Sequence, residues 1–555
     1  MRSGRGARIA VFEILGAGKE PDAARAFRKG NTMAKHNAPL AFQFLAVPAV
    51  GRQAPHAAGP FTTELPARAM FADWQISAHA ALRLTQHQRG TTELLCLGTI
   101  IDPRVPTATD DDLVERLLEI ESFAELEAAL AVLGGRWLLL VSFSGQSRIY
   151  TDAGALRTCF YATTRIGLCF GSQPTLVAAV DGTKPDGDPR EGLRRSARAD
   201  AYPLGVTPYE GIKQLLPNHF LDLLTAQPRR YWPLQSIPTK TRDEAARGIV
   251  DLLRGSIDAL ARRGKRLALP LTGGYDSRVL LAAAWDKRHE IDFFTVVDMA
   301  TPAHDFVLPL RLAHAFGLKH SFFRAGDTTE AQIELLVRNT GGVWRDPNEH
   351  RVPAFGKSDA DIVLLGNVSE VIRAGFYEYG DYPEHVDAAL LARLSGWSDD
   401  PLAISACAAW LRDVPADTNV HLLDLYYWEE RVGVWAALDS MATDAFIEVI
   451  SPYNCRELLT IGLGVPLRDR CVVGGAPEES CSLYRRVCEV AAPETLTLPF
   501  NDGWLGRVVP LLRSGLPTPL RRFLKRLRQV ARGLPRAGVL LLAWQVSETV
   551  MQARW

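Results

Sequence analysis

Residues 266–284 read RLALPLTGGYDSRVLLAAA. The first six, Arg266–Leu271, form an apolar run of strand length, and a helical pattern begins at about Arg278. Between them lie Thr272, Gly273, Gly274, Tyr275, Asp276 and Ser277. Paired glycines allow backbone to approach an anion closely and to take positive φ. Successive N–H groups and the start of the helix then face that anion. Thr272 and Ser277 add hydroxyl donors. Asp276 carries the same charge sign as a phosphate, so its use there requires a bridging Mg²⁺. The string also suits a plain Gly-Gly turn whose Asp or Ser caps the helix. The strand–loop–helix setting favours the phosphate-binding reading. A second glycine-rich string, Gly16-Ala17-Gly18-Lys19-Glu20, lacks Walker spacing and reads as a loop.

Outward from this loop the pattern alternates. Helix Glu244–Arg263 precedes the strand. Helix Arg278–Lys287, strand Ile291–Val297, helix Asp305–Phe316 and a short strand at His320 follow it. Alternating strand and helix predicts a parallel sheet covered on both faces. Residues 385–495 read as mostly helical. Upstream, residues 1–235 read as short strands (FQFLAVPA, ELLCLGTII, RWLLLVSF, RIYTDAG, GLCFGS) with one helical stretch, Asp111–Leu133. That predicts an α+β, mostly antiparallel half, joined by the linker YWPLQSIPTKT. The expected division is 1–235 and 236–555, with a basic helical tail at about 505–555. That tail contains RRFLKRLRQVAR and reads as a solvated helix packed on its own domain, with membrane, RNA or an acidic peptide as the other possible contacts.

The 555 residues carry 63 Lys+Arg and 63 Asp+Glu, so net charge is zero and a wholly basic nucleic-acid binder is excluded. Apolar content of 47% and charged content of 23% are globular values. Eight cysteines without C-x-x-C spacing argue against a zinc ribbon or disulfide framework and read as buried thiols. The twelve histidines show no metal-ligand spacing. No signal peptide or membrane span is expected, and the predicted location is cytoplasmic.

The loop resembles the SGGxDS pyrophosphate loop of the asparagine synthetase family, which includes β-lactam synthetases and lasso-peptide macrolactam cyclases. FFTVVD resembles its second strand, whose Val lines adenine, here Val296. Asp305 with its helix and Gly317-Leu318-Lys319-His320 resembles the next family stretch. LLGNVSEV, 364–371, resembles LLxGEGSDE. VISPYNCRELLTIGLGVPLRDR, 449–470, resembles the stretch packed under the site. Thr207–Ile212 and Arg230-Tyr231-Trp232 resemble the family's domain junction. The resemblance implies a glutaminase-like N-terminal-nucleophile (Ntn) sandwich followed by an α/β ATP-pyrophosphatase (PP-loop) domain. It also implies adenylation of a carboxylate by Mg·ATP and attack of an amine on the acyl-adenylate. Asp276 and Glu370 would then hold Mg²⁺, Asp276, Ser277 and Glu370 would serve catalysis, and Thr272, Gly273, Gly274, Ser277, Val296 and the Gly366 backbone would frame the nucleotide.

The sequence departs from that pattern in two places. The glutaminase nucleophile is a Cys after the initiator Met, whereas position 2 here is Arg and the first Cys is Cys96. The oxyanion-hole Asn aligns with Leu97. Gly135-Arg136-Trp137, Asp152-Ala153-Gly154 and CFGSQPTLVAA keep the rest of that half, so a silent glutaminase-like scaffold is expected. In the second half Asn367 stands where the family has an amine-activating Glu or Tyr, and Asn is no general base. The late catalytic Lys has no equivalent around Leu498-Pro499-Phe500-Asn501-Asp502. Arg485 or Arg486 would have to neutralise pyrophosphate instead. Arg278 would reach phosphate or face solvent, and Arg373 reads as the helix-surface partner of Glu370. Tyr377, Tyr379, Tyr382 and Trp397 read as core packing, with an acceptor pocket as the alternative.

The leading expectation is an ATP-dependent amide ligase using ammonia or a substrate amine, on a small-molecule or peptide carboxylate. The alternatives are an intramolecular lactam or macrolactam cyclase, and a silent nucleotide-binding relative. RNA thiolation is disfavoured by the missing C-x-x-C pairs, and nucleic acid is not an expected partner. Nothing in the sequence sets the oligomeric state.

Overall fold

The computed structural model describes residues 38–49, 61, 63–194, 200–298, 301, 303–326, 328–377, 383, 385–470 and 481–500. Gly16–Glu20, Tyr379, Tyr382, Asn501, Asp502 and the basic tail lie outside these residues.

The first half is built from two six-stranded antiparallel sheets. One contains β1 (Phe44–Pro48), β2 (Ala67–Phe71), β3 (Trp74–Ala78), β8 (Phe160–Thr164), β9 (Gly167–Gly171) and β10 (Lys213–Gln214), in the order β10-β8-β9-β1-β3-β2. The other contains β4 (Leu84–Arg89), β5 (Thr92–Ile101), β6 (Gly134–Phe143), β7 (Gln146–Thr151), β11 (His219–Asp222) and β12 (Gln227–Arg230), in the order β12-β11-β7-β6-β5-β4. Phe44, Ile76 and Phe170 of the first sheet pack on Leu97, Leu138, Ile149 and Leu221 of the second, so the sheets form a sandwich. Side chains on the far face of the second sheet, including Cys96, Trp137 and Leu139, bury helices α1 (Asp110–Leu117) and α2 (Phe123–Ala131). The sequence suggested one helix here. Two form because Ser122 takes an extended conformation and caps α2 through Glu125 N–H. On the outer face of the first sheet, Leu45, Val47 and Phe160 pack with Leu176 and Val177 of α3 (Pro174–Asp181).

At Gly98 and Gly135 the backbones of β5 and β6 approach so closely that a Cβ would lie 2.3 Å from Arg136 O and 2.2 Å from Thr99 O. Both have positive φ, 116° and 101°, which only glycine adopts without strain.

The second half begins with α4 (Arg242–Arg262), opened by a capping box in which Thr241 and Glu244 exchange hydrogen bonds. Ile249, Leu253, Ile257 and Leu260 form its buried stripe. A five-stranded, all-parallel sheet follows: β13 (Leu267–Pro270), β14 (Asp292–Val297), β15 (His320–Arg324), β16 (Ile362–Leu364) and β17 (Glu448–Ile450). Its order is β15-β14-β13-β16-β17. Helix α5 (Tyr275–Ala283) follows β13, α6 (Ala303–Phe316) follows β14 and α7 (Glu330–Thr340) follows β15. The chain therefore winds outward from β13 through β14 and β15, then returns to the other side of β13 for β16 and β17. This reversal puts a topological switch point between β13 and β16, and in such sheets the crevice at the carboxyl ends of the strands there is the usual ligand site. The chain after β16 is mostly helical, with short helices Ala388–Leu394 and Pro401–Asp413. Helix Leu422–Tyr426 continues through a π-helical stretch, Tyr427–Ala436, into Ala437–Thr443.

The two halves share buried polar contacts. Glu429, fully buried, accepts from Arg230 Nη1 (2.5 Å) and Nη2 (2.8 Å), Asn218 Nδ2 (2.9 Å) and Trp410 Nε1 (2.7 Å). Asp444 faces Arg136 at 2.6 Å and Arg157 at 3.5 Å. Asn454 accepts from Gly154 N–H (2.7 Å) and donates to Gly135 O (2.7 Å) and Asp152 Oδ1 (2.8 Å).

Glu430, next on the π-helical stretch, accepts from Leu204 N–H at 2.6 Å. Burial pushes its carboxyl up to about 7. A raised folded-state value favours the neutral acid, so the benefit is complete below the unfolded value and is lost as pH rises through about 7. Glu430→Gln keeps an acceptor for Leu204 and removes the titration. Thermal melts at about pH 4 and about pH 8.5, on either side of the window between the unfolded and folded values, are expected to show the variant gaining stability over the parent only at the higher pH, by on the order of 3 kcal/mol. Equal differences at both pH values would show that burial does not raise the Glu430 carboxyl above its unfolded value.

Candidate active site

Helix α5 starts at Tyr275, earlier than the Arg278 read from the sequence, because Gly274 takes an extended conformation and serves as N-cap. Asp276 and Ser277 consequently lie in the first helical turn, where an acidic side chain meets the positive end of the helix dipole. The loop is closed by its own hydroxyls. Thr272 Oγ1 and Ser277 Oγ lie 2.8 Å apart, Thr272 N–H donates to Ser277 Oγ (3.1 Å), and Gly274 N–H donates to Thr272 Oγ1 (3.2 Å). The two hydroxyls thus shape the loop.

Across the switch point, the turn after β16 comes down onto α5. A Cβ on Gly366 would lie 3.0 Å from Asp276 Cβ, so glycine permits the approach. Ser369 donates its hydroxyl to Asp276 Oδ1 at 2.6 Å. Val368 has φ 77°, an outlier for a β-branched residue and a mark of local strain at the centre of this turn. It is held there by complete burial among the core side chains.

Glu370 and Asp276 share one neighbour. Arg373 Nε lies 3.4 Å from Asp276 Oδ1, and Arg373 Nη2 lies 4.0 Å from Glu370 Oε1. Arg373 is therefore more than a surface partner of Glu370, since it joins the turn to the loop helix. Burial first, and then the Asp276 charge, raise the Glu370 carboxyl above the usual carboxylate range, with Arg373 opposing them. The two carboxylates in turn hold Arg373 firmly protonated.

Two buried tyrosines brace this arrangement from below. Tyr453 donates its hydroxyl to Asp276 O (3.1 Å), and Tyr484 donates to Ser369 O (2.6 Å). Their rings stack 6.3 Å apart. Ser451, just past β17, donates to Asn367 O (2.6 Å). Ser451 and Tyr453 fall in the 449–470 stretch that the resemblance puts under the site, though neither is singled out by it, while nothing in the sequence points to Tyr484.

Val296 packs with Phe323, Phe355 and Leu365 against the core on the face of the sheet opposite α5. At the exit of β14, Asp298 accepts from Arg351 Nε (2.6 Å), lies 3.0 Å from His350 Nε2 and accepts from Thr301 Oγ1 (3.0 Å), which fixes the rim beside Val296.

Several other expectations change. Arg278 reaches neither phosphate nor solvent. It is fully buried and donates to the carbonyls of Thr495 (2.7 Å), Leu498 (2.9 Å) and Pro499 (2.9 Å). The Leu498-Pro499-Phe500 string is thus strapped against α5, with Phe500 stacked on Tyr275 at 4.2 Å. Arg485 donates to Tyr275 OH (3.1 Å), at the mouth of the loop helix. Arg486 is a surface residue paired with Asp243 and Glu489. Trp397 donates to Ala201 O (3.1 Å) and packs on Tyr202, as core packing predicts.

In the first half, Leu97 is buried in β5 between Leu84 and Leu138 and offers no oxyanion donor. The seven described cysteines are buried and free, and burial pushes the Cys96 thiol up, away from thiolate.

Oxygen donors of this kind suit Mg²⁺. Asp276 fits, because Ser369 and Arg373 both engage Oδ1 and leave Oδ2 to one side. Glu370 fits less well, because an ion bridging both carboxylates would lie beside a guanidinium already paired with each. Among the described residues, no group of three or more His, Cys, Asp or Glu could hold a metal, and no helix is long and apolar enough to cross a membrane.

No protein-family model matches the chain, and no curated protein matches it in sequence. Solved structures do match. Glutamine phosphoribosylpyrophosphate amidotransferase from B. subtilis, complexed with ADP and GMP, is 9% identical over 64% of this chain and 73% of that one, with a TM-score of 0.23. The allosteric regulatory enzyme of purine biosynthesis is 11% identical over 50% of this chain and 64% of that one, also at 0.23. Superpositions this loose assign no residue, and the site stands on its own geometry.

Proposed function

We propose that the chain is an ATP-dependent ligase of the asparagine synthetase type, adenylating a carboxylate and passing the acyl group to an amine. The observation that carries this reading is the Ser369–Asp276 hydrogen bond of 2.6 Å, which joins the TGGYDS loop to the GNVSE turn at the switch point of a parallel sheet. On this reading the PP-loop, Thr272–Ser277, with the start of α5 receives the pyrophosphate of ATP. Gly366 allows the turn to close, Val296 lies at the adenine side, and Asp276 holds Mg²⁺, while Glu370, the second carboxylate expected there, is paired with Arg373. Bound Mg²⁺ would neutralise the phosphate oxygens. Both ends of the Asn367 side-chain amide are buried without a hydrogen-bond partner, which gives a polar group of the acyl or amine substrate a place to pair.

The first half is then an Ntn-type sandwich kept as scaffold. Buried Leu97 and the buried thiols support an amine from ammonia or from the substrate itself, which leaves lactam or macrolactam closure as the second reading.

Release of AMP and pyrophosphate from Mg·ATP tests this directly. One arm contains aspartate and ammonium, another a low-mass cell extract, with Asp276→Ala as control. Substrate-dependent release that vanishes in the variant is the expected result. ATP binding without pyrophosphate release in any arm would favour a silent nucleotide-binding protein.

A further inference from the structure

We propose that Arg373 is a built-in cation of the pyrophosphate site, standing where a second divalent ion would otherwise bridge Asp276 and Glu370. This rests on the phosphate-loop reading above and specifies how that loop binds its ligand. Among the described residues, Arg373 is the one guanidinium in contact with both candidate metal-binding carboxylates, 3.4 Å from Asp276 and 4.0 Å from Glu370. Its side chain is 23% exposed, so the charge is neither sealed in the core nor free in solvent. Its Nε faces Asp276 Oδ1 at 3.4 Å without a hydrogen bond of normal geometry, so the guanidinium is held by charge rather than locked by a tight hydrogen bond. Arg278 is committed to carbonyls and Arg486 to surface carboxylates, so neither competes for the role.

A guanidinium differs from Mg²⁺ in being covalently fixed and always charged. It presents several N–H donors that match phosphate oxygens. It also lowers the need for metal at Glu370, whose charge it already balances. The site is therefore expected to take one divalent ion, at Asp276, and to retain affinity for pyrophosphate without any.

The test is calorimetric titration of the full chain with inorganic pyrophosphate, in EDTA and in Mg²⁺, for the parent, Arg373→Met and Arg373→Lys. The parent is expected to bind in both media. Arg373→Met is expected to lose roughly tenfold or more of its affinity in EDTA and much less in Mg²⁺. Arg373→Lys, which keeps the charge and loses the fork, should fall between. Circular-dichroism melts report whether each variant folds. Independently of any variant, Mn²⁺ electron paramagnetic resonance on the parent with pyrophosphate should count one tightly bound ion per chain. Unchanged binding of Arg373→Met in EDTA, or two tight Mn²⁺ ions in the parent, overturns the proposal. Parent binding that requires Mg²⁺ overturns it as well, while leaving the phosphate loop intact. No binding by the parent in either medium overturns the phosphate-loop reading with it.

Discussion

Asp276→Asn is expected to lower substrate-dependent pyrophosphate release by ~10³-fold or more while the chain stays folded. The substitution is nearly isosteric, and the new amide oxygen can still accept from the Ser369 hydroxyl now 2.6 Å from Oδ1. The backbone carbonyl held by Tyr453 is untouched. What disappears is a negative charge at the first turn of α5, and with it the ion pair that joins this turn to Arg373. Any route by which this residue serves ATP, through a metal ion or through Arg373, depends on that charge. Coupled-enzyme detection of pyrophosphate, with a melting curve alongside, checks both halves of the expectation. A fall of less than about tenfold would remove Asp276 from the chemistry and make the site a nucleotide-binding or purely structural one.

The largest stability effect is expected at Glu429. Its carboxylate is fully buried and takes four hydrogen bonds, two of them from Arg230 of β12. Glu429→Ala leaves the Arg230 guanidinium, itself 4% exposed, with only the half-exposed Asp413 to balance it. Removing one member of a buried pair in this way costs about 3–5 kcal/mol. The same change strips acceptors from Asn218 and Trp410. Because Arg230 belongs to the sandwich and Glu429 to the π-helical stretch beside the parallel sheet, the loss falls on the contact between the halves. Urea unfolding monitored by tryptophan fluorescence should show an earlier midpoint, with Glu429→Gln falling between variant and parent. A midpoint within error of the parent for Glu429→Ala would mean that the Glu429–Arg230 pair adds nothing to the contact between the halves, which Asp444, Asn454 and the apolar contacts then hold.

Much of the second half was legible because its signals are local. An apolar strand, two glycines and a helix start occur within nineteen residues, 266–284, and the alternation after them is regular. The strands not named from the sequence include the interior β3, β8 and β11, which are buried but only four or five residues long, and three at sheet edges. β2 (ARAMF), β4 (LTQHQR) and β12 (QPRR) are polar edge strands, buried on little of their length, and take their pairing from neighbours. The single helix expected over Asp111–Leu133 became two for a local reason after all, the Ser122 cap, which a closer reading of that serine would have revealed.

The site divides in the same way. The sequence by itself determined the loop's local form: Thr272, Gly273, Gly274, Asp276 and Ser277 are consecutive or nearly so, and their conformations follow from short-range sterics and capping. It also supplied Glu370 as a candidate, although 94 residues separate it from Asp276. Only the tertiary structure decided what surrounds that pair. The winding of the sheet brings β16 beside β13, which sets the GNVSE turn on α5 and places Arg373 between the two carboxylates. It brings Tyr453 and Tyr484 beneath them, and it turns Arg278 away from the loop to hold the Leu498–Phe500 strap. Contacts between residues a hundred or more positions apart depend on strand order and burial, and neither is encoded in the spacing of the residues that meet.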